Sequence, residues 1–301
     1  MPAKEQMSDF PFPFDSAFFE RLQSLHLCSR RVFSGRLNAM HISRKMGAGM
    51  EFADHRPYTP GDDLRLIDWN LFARSEKLYT KLYRKEEDRN LFFMVDVSAS
   101  MAVENEKFDF TRKLAAALAY IGLFEMDRVF LHGFAEGITA ALPALRGRRA
   151  IIEAMSFISH LTPGGRTGFE RAARDFIGRH GDSQGVLLVF SDFLDLDGVV
   201  PGLDILFRRG FEVLALHVVT PGELRPTFLG QWRLADPEGG RPHVEHVTRR
   251  MLARYRRTFH AHAERLQRHV RVRGGGYLRA VTDTPLEELI LKELRAGRLL
   301  V

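Results

Sequence analysis

Cysteine is nearly missing: Cys28 stands alone in 301 residues. A single thiol closes no intrachain disulfide and supplies no Cys-x-x-Cys metal or redox pair. A reducing, cytoplasmic compartment is the expectation. Long apolar runs are missing too. The best candidates, 114–124 and 213–219, fall well short of the roughly 20 residues that span a bilayer. No transmembrane segment is therefore expected. The opening stretch MPAKEQMSDFPFPFDSAFF has one Lys, three Pro and no apolar centre, so it is not expected to act as a secretory signal. Charge of one sign is also lacking overall, with 44 Lys and Arg against 38 Asp and Glu. The excess is local. Ten Arg face only Glu245 and Glu264 between Arg241 and Arg273, which leaves the rest of the chain slightly acidic.

Several catalytic signatures are missing as well. No Gly-Lys dipeptide occurs, which excludes a Walker A phosphate loop. No G-x-G-x-x-G follows the first buried strand, which argues against a dinucleotide site. There is no His-Glu-x-x-His and no nucleic-acid-binding motif. One G-x-S-x-G occurs at Gly181-Asp-Ser183-Gln-Gly185. A nucleophile elbow needs a strand before the serine and a helix after it. Here the order is helix first, strand second, so the segment reads as a turn.

What remains is ordinary globular material, 45% hydrophobic and 27% charged, of a length that suits two structural units. Residues 1–87 are read as an N-terminal region: a short helix carrying Phe18, Leu22 and Leu25, then extended and looped segments with alternation at Lys77–Tyr83. From residue 88 to 301 the texture becomes strand and helix in turn. Buried-strand runs stand at 91–95, 128–134, 185–190, 211–219 and 277–281. Helices are read near 108–124, 148–161, 169–179 and 199–209, then an Arg-rich one, then one from Pro285 capped by Asp283 or Thr284. A hairpin is expected over 231–248, around Asp236-Pro-Glu-Gly-Gly240. Continuous apolar strands alternating with helices predict a three-layer α/β fold, a mostly parallel sheet covered on both faces.

In such a sheet, ligands sit at the carboxyl ends of strands. The first strand of the alternating region ends in Asp96-Val-Ser98-Ala-Ser100. A carboxylate and two hydroxyls spaced by two can converge on one point, and oxygen donors suit a hard cation, Mg²⁺ or Mn²⁺. Asp192 follows a later buried strand, and Thr167 lies in a Gly-Gly-Arg-Thr turn. The alternative is that Asp96, Ser98 and Ser100 only cap the following turn and helix. A serine nucleophile lacks a histidine base at a partner strand end, His217 being inside a strand.

Asp-x-Ser-x-Ser with a later Thr and Asp resembles the metal-ion-dependent adhesion site of von Willebrand factor A domains. The preceding block, Gly49-Met-Glu51-Phe52, Arg56-Pro-Tyr58, Pro60-Gly61-Asp62-Asp63, Arg65, Ile67-Asp68-Trp69 and Ala73-Arg74, resembles the signature of the bacterial domain of unknown function 58 family. The resemblance implies a von Willebrand A-like domain in which Ser98, Ser100 and Thr167 contact the cation while Asp96 and Asp192 act through water. It implies that a client protein supplies a carboxylate as the last ligand. It further implies a non-enzymatic adaptor working with a MoxR-type AAA+ ATPase in chaperone-like assembly or metal insertion. A metal-dependent hydrolase, or a scaffold with a vestigial site, stays open as the alternative.

In the signature block, Arg56, Asp62, Asp63, Arg65, Asp68, Trp69 and Arg74 read either as a structural ion-pair network or as a partner-binding surface, since Arg and Trp are favoured anchors. The Arg-rich helix presents Leu252, Tyr255, Phe259, Leu266 and Val270 as a stripe for burial. Beside it Arg250, Arg254, Arg257 and Arg268 form a basic face, open to solvent or to an anionic partner, including a peripheral membrane surface. His260 and His262, two apart, are a poor metal pair.

Overall fold

The computed structural model describes residues 11–25, 50–85, 89–239 and 242–294. Cys28, Gly47 and Gly49 lie outside the described residues. The chain divides into two compact units, Met1–Phe33 with Arg89–Val301, and Ser34–Asp88. The described residues 11–25 thus group with the sheet rather than with the signature block.

In the larger unit six strands form one sheet: β3 Asn90–Asp96, β4 Arg128–Phe134, β5 Ile138–Arg146, β6 Val186–Ser191, β7 Glu212–Val219 and β10 Gly276–Val281, in the order β10-β7-β6-β3-β4-β5. Neighbours run parallel except β5, which pairs antiparallel with β4. β5 is an edge strand that the apolar pattern did not announce. Its side chains are half-exposed in alternation and it carries Pro143, which sheets tolerate at an edge. The chain starts at β3 and winds outward both ways, so the order of connection reverses between β3 and β6. That crevice is where open α/β sheets bind ligands.

Burial on both faces explains the continuous apolar strands. In β3, Leu91, Phe93 and Val95 enter one core with α1 Ser16–Leu22, α3 Asn105–Phe124 and α4 Ile151–Ser159. Phe92 and Met94 enter the opposite core with α5 Phe169–His180, α6 Val199–Arg208 and α8 Arg249–Val272. Helix α3 is apolar on most faces because it is covered on most faces: Ala115 to Ala119 are fully buried, and α1 closes over it with Phe19 and Tyr120 rings 4.7 Å apart. At about 25 cal/mol per Å², these two cores are the main stabilising term.

The expected hairpin is present as β8 Gly230–Leu234 paired antiparallel with β9 His243–Val247. Gly181–Gly185 is a turn between α5 and β6, as its helix-then-strand context required. On α8, Leu252, Phe259, Leu266 and Val270 are buried with Ala263, but Tyr255 is 42% exposed and leaves the expected stripe. The C-terminal segment also differs from expectation. Neither Asp283 nor Thr284 caps it; Pro285 precedes a single turn, Leu286–Glu288, that widens into a π-helix at Leu289–Leu294.

The smaller unit pairs β1 Met50–Pro57 antiparallel with β2 Tyr79–Lys85. Between them lies a helix, α2 Trp69–Ser75, where the alternating pattern suggested extended chain. Asp68 caps it, accepting from the backbone N–H of Asn70 and Leu71. Local capping chemistry overrode the weak alternation there.

Candidate metal centre

Four of the five residues expected to serve the cation meet at the switch point. Asp96 ends β3, Ser98 and Ser100 lie in and just before the 3₁₀ turn Ala99–Ala102, and Asp192 follows β6. All four are buried. The Ser98 and Ser100 hydroxyl oxygens are 2.9 Å apart. Asp96 Oδ1 accepts from the Ser98 backbone N–H at 2.9 Å, and its Oδ2 accepts from the Ser191 hydroxyl at 2.6 Å. Asp192 Oδ1 accepts from Leu194 N–H at 3.2 Å. The carboxylates are therefore held by one bond per oxygen, each with further acceptor capacity.

Lys107, on the first turn of α3, was not anticipated. Its Nζ sits 2.7 Å from Asp192 Oδ2 and 2.6 Å from Glu223 Oε1, and the side chain is 1% exposed. Burial alone would lower its pKa, but Asp192 and Glu223 outweigh this and hold it above the usual lysine value. Glu223 is positioned by a capping box with Thr220 at the short helix α7 Pro221–Leu224. Among the described residues, no lysine or arginine forms an ion pair with Asp96. Burial, then the charge of Asp192, pushes its pKa well up from the carboxylate range against the bonds from Ser191 and Ser98.

Thr167 is placed differently. Its loop is stitched to the Asp96–Ser100 loop by Gly164 N–H to Val97 O at 2.7 Å and Ala99 N–H to Gly165 O at 2.9 Å. Gly165 makes this approach in the left-handed region, with φ +83°. The Thr167 hydroxyl, however, donates to Glu238 Oε1 at 2.6 Å, and its backbone N–H donates to Glu238 Oε2 at 3.1 Å. Lys107, Ser191 and Glu238 were legible only weakly. Lys107 is one of several charges in the first half of its helix, Ser191 adjoins Asp192, and Glu238 carried no signal beyond its hairpin turn.

The donor set suits a hard divalent cation. With Asp96, Asp192 and Glu223 all ionised against Lys107, the formal excess is two negative charges beside two facing hydroxyls, the charge of one such ion, and a bound ion would favour the ionised form of Asp96. Buried carboxylates without a counter-charge are costly. Among the described residues no group of three or more His, Cys, Asp or Glu could hold a metal. His217 is fully buried in β7 with Nδ1 2.8 Å from the Tyr277 hydroxyl, and is a packed residue. His262 Nε2 lies 2.8 Å from Phe193 O, away from His260 as a ligand pair.

The signature residues of the smaller unit form local pairs. Arg56 donates to Asp62 at 2.7 Å, and Asp62 also accepts from Thr59 N–H and hydroxyl at 3.0 Å. Arg65 donates to Asp63 at 2.8 Å, which holds that carboxyl down at about 2. Asp68 accepts from His55 at 2.8 Å and lies 3.6 Å from Lys81. Trp69 is 60% exposed and touches Phe72 edge-on. Arg74 is exposed on the last turn of α2.

A family model described as "Protein of unknown function DUF58" matches residues 54–269. The chain is 27% identical over 270 residues to the uncharacterized protein Mb1516 of Mycobacterium bovis, covering 87% of this chain and 84% of that one. The uncharacterized protein Rv1480 of Mycobacterium tuberculosis matches to the same extent, 27% over 270 residues. Among solved structures, the conserved hypothetical protein BatB from Bacteroides thetaiotaomicron is similar at 17% identity and TM-score 0.46, over 70% of this chain and 98% of that one. An aerotolerance-related membrane protein from Bacteroides fragilis is similar at 19% identity and TM-score 0.43, over 69% and 99%. Among the described residues, no helix is long and apolar enough to cross a membrane.

Proposed function

The chain belongs to the DUF58 family, and on that premise we propose that its α/β unit is a non-enzymatic, Mg²⁺- or Mn²⁺-dependent protein-binding module of the von Willebrand A type. One observation carries the reading: buried Asp96, Ser98, Ser100 and Asp192 converge where the sheet reverses, around charge that one divalent ion balances. Ser98 and Ser100 would hold the cation by their hydroxyls, with Thr167 as a third. Asp96 and Asp192 would orient those donors and supply the counter-charge. When bound, the ion offers an open position to an external carboxylate, because so few protein groups saturate it. Lys107 keeps Asp192 fixed, and because the ion's charge is then balanced by the protein an added anion is held only weakly, which makes release easy. The partners we assign are a MoxR-type AAA+ ATPase and an acidic segment of its client, as the family resemblance implies.

The test is linkage. A bound ion at a hundredfold over its Kd adds about 2.7 kcal/mol, or roughly 5–10 °C in Tm for a unit of this size. Mg²⁺ or Mn²⁺ is expected to raise Tm in the parent chain and not in Ser98→Ala/Ser100→Ala. Capture of the ATPase is expected to be lost on chelation. No Tm response to either metal at millimolar concentration would overturn the reading. Phosphoester or peptide turnover lost in the double variant would replace it with the hydrolase.

A further inference from the structure

The β8–β9 hairpin has little to hold its tip in place. Gln231, Trp232, Arg233 and Val244 point into solvent. Among the described residues, the hydrogen bonds joining residues 230–247 to the rest of the unit are the two that Thr167 gives to Glu238 and one at the base of the hairpin, from Trp232 Nε1–H to the adjoining Leu229 O. The turn itself is shaped for this contact. Asp236 Oδ1 accepts from Glu238 N–H at 2.9 Å, and Gly239 continues in the left-handed region at φ +110°. Arg166, Arg171 and Arg174 line the same cavity of about 610 Å³, yet none pairs with Glu238. Arg171 sits 3.5 Å from Glu136, and Arg174 pairs with Glu170. A half-buried glutamate that shares a cavity with three guanidinium groups normally takes one of them. This one takes the hydroxyl of Thr167, on the loop whose backbone is stitched to the Asp96–Ser100 loop.

We infer that Glu238 is a tethered carboxylate ligand for the cation, occupying the position that a partner's acidic side chain would take. The inference rests on the cation reading above. A hydroxyl carries one donor and two lone pairs, so Thr167 can donate to Glu238 and face an ion at once. Two oxygens adjacent in an octahedral shell at Mg–O of about 2.1 Å lie about 3 Å apart, and Glu238 Oε1 is 2.6 Å from Thr167 Oγ1. A carboxylate hydrogen-bonded there needs to move by less than about half an ångström to stand at the spacing of a neighbouring ligand. Carried on a hairpin with few other attachments, it competes at an effective concentration in the millimolar range. A partner therefore binds only by presenting an acid that displaces it, which sets a threshold on weak or accidental carboxylates.

Mn²⁺ binding, followed by calorimetry and by the paramagnetic signal of the free ion, tests this on the full chain. Glu238→Gln keeps the hairpin's shape and Glu238→Ala removes the carboxamide as well. Both are expected to bind Mn²⁺ about tenfold more weakly than the parent. Acetate is expected to restore the affinity of Glu238→Ala and to leave the parent unchanged. Equal Mn²⁺ affinity in parent and variants, without an acetate effect, overturns the role of Glu238 and leaves the cation site standing. Failure of the parent to bind Mn²⁺ overturns both. A metal-free Tm within a degree or two of the parent confirms that the variants are folded.

Discussion

Lys107 is the residue whose removal has the clearest consequence. Its ammonium lies between Asp192 and Glu223 with almost no solvent contact. Replacing it with Met leaves buried carboxylates without their cation, an arrangement that costs about 3–5 kcal/mol. Urea denaturation of Lys107→Met is expected to show that loss, and added Mg²⁺ to recover part of it by taking over the charge. Two histidines set the acid limb of stability. Burial, then the charge of His180, lowers His132 from 6.5 to about 4, and burial, then Arg279, lowers His217 to about 3. Both are neutral in the folded chain at pH 7. Below about 6.5 the unfolded chain binds their protons first, so stability falls as pH drops and the loss continues towards pH 4 and 3. Each contributes about 2 kcal/mol of that loss between pH 8 and pH 5. Denaturation at those two pH values is expected to show the drop, smaller by His132's share in His132→Gln.

At the scale of elements, Asp68 is the informative case, because its signature position suggested a surface and its geometry makes it a cap. Asp68→Ala is expected to destabilise α2 by about 1 kcal/mol, read as faster amide exchange over Trp69–Ser75, whereas Asp68→Asn retains most of the protection. Elements with a strong period were legible in the amino acids. β3, β6 and β7 are apolar on both faces because both faces are covered, and α5 presents Phe169, Ala172, Ala173, Phe176 and Ile177 to one side. β5 escaped because an edge strand half-exposed in alternation, with a proline inside it, carries the marks of a loop. Helix α2 escaped because seven residues are too few to establish a period against flanking alternation. In the site, side chains at strand ends were readable because the topology rule assigns them a place. Lys107 and Glu238 were not, since what defines them is a partner 85 residues away in one case and 71 in the other.

For the molecule as a whole, the sheet order governs the site: only a chain that winds outward from β3 in both directions opens a crevice beside Asp96 and Asp192. Among the described residues, the order β10-β7-β6-β3-β4-β5 also leaves two borders without a paired strand, one of them β5. A bare border is a template on which a second sheet can grow. Pro143 interrupts it by removing a backbone donor and stiffening the strand. Pro143→Thr is expected to leave the monomer's Tm nearly unchanged while raising light scattering at high concentration and moderate heat; unaltered scattering would mean that the border is guarded elsewhere. The adaptor role proposed above calls for a molecule that meets partners through the crevice beside Asp96 and Asp192 and not through its sheet borders. By that measure the proline on β5 is a device of selectivity, closing a border open to any passing strand so that chemistry at the crevice chooses the company.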